Sequence, residues 1–111
     1  MAFPGISCRL DLVASLADQA GGTDLQTKLR DKILKLSKAA RTRITDAETE
    51  TKVKRQRKLL KASEGQLAKL LNLIKKGLKK HQVADALGNR LRTEADGARS
   101  ATRTLRAGLT G

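Results

Sequence analysis

Residues 53–80 read VKRQRKLLKASEGQLAKLLNLIKKGLKK. Val53, Leu60, Leu67, Leu71, Ile74 and Leu78 recur there at spacings of 7, 7, 4, 3 and 4, the mark of a helix with one apolar face. Leu59, Leu70 and Leu73 widen that face enough to serve both a hairpin partner and a second subunit. A helix advances about 100° per residue. On that wheel the opposite side carries Lys54, Lys58, Ala62, Gly65, Lys69, Asn72 and Lys76, flanked by Arg55, Lys61 and Lys80. Every long side chain on this strip is a base or an amide, and its centre is small. Glu64, the one acid of the stretch, falls off the line.

Charge follows the same boundary. Between Thr51 and Ala84 stand eleven Lys and Arg against Glu64, which supplies +10 of the chain's formal +13. The first fifty residues hold eight bases and seven acids. Cationic charge gathered on one helix points to a polyanionic partner, with nucleic acid foremost.

Upstream, Leu25, Leu29, Ile33, Leu36, Ala40, Ile44 and Ala47 recur at spacings of 4, 4, 3, 4, 4 and 3. That is a second single-face helix of more than six turns. Thr23, followed three residues later by Gln26, reads as its capping box. Residues 48–52 lack any apolar side chain and read as the connection between two antiparallel helices, although no Gly or Pro forces a break. Ser7 is placed to cap a first short helix over 8–20, closed by Gly21-Gly22. Lys79, Lys80 and His81 close the basic helix with charge that the dipole favours. Residues 82–87 read as a short amphipathic turn of helix ended by Gly88-Asn89. The chain then divides into an N-terminal segment (1–22), a helical hairpin with a short third helix (23–92), and a flexible or weakly helical arm (93–111) bearing Arg99, Arg103 and Arg106.

With 111 residues, one aromatic (Phe3) and one proline (Pro4), the chain reads as a single all-α unit with a Leu, Ile and Ala core. Leu29, Ile33, Leu36, Leu60, Leu67, Leu71, Ile74 and Leu78 are its expected core and dimer residues. One hairpin of this size buries little surface, so a homodimer closing a four-helix bundle is expected. No run is long enough to span a membrane, and Arg9, Asp11 and Asp18 interrupt any signal-like start. The single Cys8 forms no intrachain disulfide, and an intracellular, cytoplasmic setting is expected. His81 is the only histidine, and there is no phosphate loop, metal-ligand spacing or carboxylate pair. Catalysis, a bound metal, a cofactor and a small-molecule substrate are therefore not expected.

The lack of aromatics also bears on the kind of nucleic acid. Single strands are bound by stacking bases on Phe, Tyr or Trp, so a duplex held by shape and phosphates is favoured. From Lys58 to Lys80 the basic strip is roughly 33 Å long. Its contacts carry affinity without sequence information. Rival readings are a solvated basic face, an assembly protein docking on a nucleoprotein, and a cationic amphipathic helix over 67–80 lying on a membrane. A helix-turn-helix over 83–97 is a further alternative, weakened by Glu94 and Asp96 in its recognition helix.

Residues 25–88 resemble the small RNA-silencing suppressors of nodaviruses. The matching pieces are the stripe from Leu25 to Ala47, the basic start Val53-Lys54-Arg55, Leu60, Ala62 and the closing Val83-Ala84-Asp85-Ala86-Leu87-Gly88. The resemblance implies hairpins pairing into an antiparallel four-helix dimer, followed by a short third helix. It also implies binding of duplex RNA along one face, shielding it from a host Dicer-type nuclease in the host cytoplasm. Of the basic residues, the resemblance reaches Arg55; Lys58, Lys69, Asn72 and Lys76 rest on the helical wheel.

Overall fold

The computed structural model describes residues 2–20 and 25–109. Four helices make up almost all of them: α1 (Ala2–Gln19), α2 (Thr27–Thr49), α3 (Val53–Lys79) and α4 (Asp85–Gly108). α2 packs on α1 and α3, and α4 packs on α3 and α1. The helices thus close a ring, with α1 diagonal to α3 and α2 diagonal to α4. Short connections make sequential neighbours antiparallel. The bundle is a rod of 47 × 20 × 19 Å.

Each helix turns one narrow stripe inward. α1 supplies Ile6, Leu10, Val13 and Ala17; α2 supplies Leu29, Ile33, Ala40 and Ile44; α3 supplies Leu60, Leu67, Leu70, Leu71 and Ile74. α4 contributes Leu91, Ala95 and Ala98, with Thr102 continuing the line. Leu36 and Leu78 are only partly buried at the edge of this core. Burying a large aliphatic side chain is worth about 1.5–3 kcal/mol. α1 is therefore a structural wall and not an appendage. Hydroxyls inside the core are satisfied locally: Thr102 Oγ1 donates to Ala98 O at 2.7 Å, and Ser37 donates to Ile33 O. Ser63 Oγ reaches across from α3 to Ala40 O of α2 at 3.3 Å.

Several boundaries differ from those expected. The first helix occupies Ala2–Gln19 instead of 8–20. α2 starts at Thr27 behind Gln26, which makes no side-chain capping bond; Thr23 of the expected capping box, with Asp24 and the Gly21-Gly22 pair, lies outside the described residues. Leu25 is buried and pairs with Val83 in an isolated antiparallel bridge, with Gln26 N donating to Gln82 O at 2.8 Å. Residues 50–52 break α2 from α3: the Glu50 carboxylate accepts from the N–H groups of Thr51 and Lys52, and Gln56 Nε2 donates back to Ala47 O.

The largest correction lies downstream of Val83. The short third helix and loose arm are one continuous helix to Gly108. Gly88 does not end it. Gly88 lies within its first turn because Leu78 packs there: an added Cβ would lie 2.7 Å from Leu78 Cγ. The inward line of α4 is mostly Ala and Thr, too weakly apolar to stand out as a stripe. Before it, α3 ends in a Schellman motif with His81 N bonded to Leu78 O and Gln82 N to Gly77 O. His81 takes the left-handed position at φ 57°, where Gly is the usual residue.

Candidate nucleic-acid interface

α3 presents its basic strip outward. Lys54, Arg55, Lys58, Lys61, Ala62, Gly65, Lys69, Asn72, Lys76 and the C-cap Lys80 are all exposed. The pattern follows from packing: α2 and α4 hold the two flanks of the apolar face, so the wheel's far side meets solvent. The same packing buries Leu67, Leu70, Leu71 and Ile74 and partly buries Leu73 and Leu78, so the apolar side of residues 67–80 is spent mainly on the core. No helix among the described residues is long and apolar enough to cross a membrane.

Glu64 is withdrawn from the surface, at 8% exposure. Arg103 Nε donates to its Oε1 at 3.4 Å, and Arg106 engages both carboxylate oxygens. The hydrogen bond to Glu64 raises the Arg106 guanidinium above its ordinary pKa, with the opposite charge adding to it. The single acid of α3 thus faces α4 and leaves the ridge without negative charge. Arg103 and Arg106, expected on a loose arm, are instead ordered on α4.

The neighbouring helix adds bases that the wheel of α3 does not reveal. At one end of the α2–α3 seam, Lys28 and Lys32 share a groove of about 350 Å³ with Lys76 and Lys80. At the hairpin end, Arg43 lines a groove of about 410 Å³ with Arg55 and Lys58. Lys28, Lys32 and Arg43 each precede a buried residue of α2 by one position, so they form one column beside its stripe. The column on the other flank meets α1, where Arg41 bonds Asp11; that bond raises the Arg41 pKa. Which flank meets α3 depends on the hand of the bundle, which periodicity does not supply.

Charge is consequently polarised across the rod. α1, diagonal to α3, carries only Arg9, Asp11 and Asp18. Arg9 is paired with Glu94 at 3.3 Å. Among the described residues no three His, Cys, Asp or Glu side chains gather as a metal site. Cys8 is exposed and free. Residues 83–97 do not form two helices about a turn, because α4 continues through Gly88, which removes the geometry a helix-turn-helix requires.

No family model, curated protein or solved structure matches this chain. The functional reading therefore rests on the surface itself.

Proposed function

We propose that the protein binds double-stranded nucleic acid, RNA in preference to DNA, without reading sequence and without catalysis. One observation carries this reading: the exposed ridge of α3 is uninterrupted by acid, because Glu64 is turned into α4, and Lys28, Lys32 and Arg43 extend it across α2. Lys and Arg on a straight, rigid face suit rows of phosphates. With Phe3 as the only aromatic, base stacking is not the means of holding the ligand. Preference for A-form RNA is expected because a rigid strip meets a duplex through its shape and 2′-hydroxyls. The homodimer expected from the sequence rests on the width of the α3 apolar face and on the little surface that one hairpin buries. α2 and α4 cover the two flanks of that face and α1 closes the ring opposite it, so the binding unit in this proposal is a single chain. Shielding of duplex RNA from a Dicer-type nuclease, as the resemblance implies, is the consequence such coverage would have.

The test is fluorescence anisotropy with duplex RNA, duplex DNA and single-stranded RNA of equal length. Six phosphate contacts would lower affinity by about a thousandfold between roughly 50 and 200 mM salt. Equal affinity for all three ligands and for heparin would reduce the ridge to a nonspecific basic surface. In a nuclease-protection assay, duplex RNA should survive at protein concentrations that saturate it.

A further inference from the structure

A basic concavity lies on the flank of α3 toward α4 and shares Lys54, Lys58 and Lys61 with the edge of the ridge. It measures about 740 Å³ and is walled by Lys54, Arg57, Lys58, Lys61 and Arg106. The four α3 residues stand at i, i+3, i+4 and i+7, which stacks their charges on one strip. Like charges at these spacings repel. Lys54 stands in the first turn of α3, where unpaired N–H groups make the helix end positive and where no acid is present. Among the described residues, the ion pairs involve none of Lys54, Arg57, Lys58 or Lys61. Arg106 differs: two of its nitrogens donate to Glu64 behind the wall, so its guanidinium is ordered before any ligand arrives. Mutually repelling cations thus surround an open volume. A compact anion with several charges relieves that repulsion, whereas a singly charged one does so only in part.

We infer that this groove binds a compact polyphosphate through its non-bridging oxygens. A duplex is a rigid rod that lies across the convex ridge, whereas this site is a concavity between helices. Its size falls in the range of small-ligand sites, about 300–1,000 Å³. The Arg57 guanidinium matches phosphate oxygens in a planar fork, the Lys ammoniums supply point charges around it, and Arg106, its Nε and Nη2 held by Glu64, adds a fixed positive wall. The inference does not rest on the duplex reading, since Arg57 and Arg106 stand outside the ridge. Free polyphosphate and the backbone of a flexible strand share the same phosphate chemistry, so both are tested.

Inorganic triphosphate is titrated into the full chain by calorimetry at constant ionic strength, beside monophosphate and a single-stranded RNA oligomer of matched charge. Saturable one-to-one binding of triphosphate is expected, with no measurable binding of monophosphate. Arg57→Gln combined with Lys54→Gln should weaken triphosphate by about tenfold or more, through lost charge-assisted hydrogen bonds. Lys69→Gln combined with Lys76→Gln removes ridge charges that start about 12 Å along the helix from Lys61, beyond a Debye length of about 8–10 Å, and should change it by less than about twofold. Circular dichroism confirms that both variants keep their helices. Absence of saturable binding, equal losses in both double variants, or equal affinity for the RNA oligomer would overturn the inference. Duplex RNA in the same panel tests the ridge separately: triphosphate binding without duplex binding sinks only the proposed function, and the converse sinks only this site.

Discussion

Gly65 lies midway along α3, exposed, between Lys61 and Lys69. A Cβ built there meets no atom within 4 Å. Replacing an exposed mid-helix Gly with Ala recovers about 1 kcal/mol of helix propensity, with nothing to clash against. Unfolding entropy runs at about 2.1 cal/mol/K per residue, or about 230 cal/mol/K for this chain, so the midpoint of Gly65→Ala should rise by about 4 °C. Gly65→Leu should be stabilised almost as much, since Leu is nearly as good a helix former. Binding should move the other way. If the backbone of α3 lies close against the duplex at its small centre, a Leu side chain at 65 holds the ligand off. Lys61 and Lys69 then lose their phosphates. Two charge-assisted contacts weakened together predict a loss of about tenfold or more. Thermal melts followed by circular dichroism and anisotropy with a labelled RNA duplex read the two effects independently. Wild-type duplex affinity in a stabilised Gly65→Leu protein would refute the placement of the ligand on this ridge.

Four further outcomes are expected. His81→Gly should raise stability by about 0.5–1 kcal/mol in chemical denaturation, because Gly takes the left-handed position without a Cβ penalty. Gly88→Ala should lower it by about 1–3 kcal/mol, since the new methyl meets Leu78 Cγ at 2.7 Å in a packed seam. Lys28→Gln with Lys32→Gln should weaken duplex binding as much as Lys76→Gln with Lys80→Gln, and each lost phosphate contact should flatten the salt dependence by about 0.9. Sedimentation equilibrium at micromolar concentration should give a single species of 12.0 kDa, and a stable dimer would show that the four helices do not complete the buried core on their own.

The all-helical class and the two long helices were legible because Leu and Ile at spacings of three and four leave little ambiguity. The outward strip of α3 was legible for the same reason: once Leu60, Leu67 and Ile74 face inward, Lys58, Lys69 and Lys76 face out. α4 was not, because Ala95, Ala98 and Thr102 pack well only against neighbours that sequence does not reveal. Gly88 looks like a terminator in the sequence, whereas in the fold it lets Leu78 approach. The contribution of the α2 bases is hidden in the sequence for a geometric reason. Both flanks of the α2 stripe are basic, and only the hand of the ring decides that Lys28 and Lys32 join Lys76 while Arg41 turns to Asp11. The pairing of Glu64 with Arg103 and Arg106 is equally nonlocal, joining residues about forty positions apart.

The bond from Gln26 to Gln82 fastens the loop entering α2 to the loop leaving α3, fifty-six positions downstream. Both residues also line the groove that holds Lys28, Lys32, Lys76 and Lys80. An anion seated there spans the same two helices as the clasp beneath it, and it must leave before the loops can part. Occupancy of that groove should therefore act as a kinetic lock: the unfolding rate falls with ligand concentration, and the amide proton of Gln26, protected only while the loops stay together, becomes the slowest-exchanging loop proton and a direct gauge of how often the bundle opens.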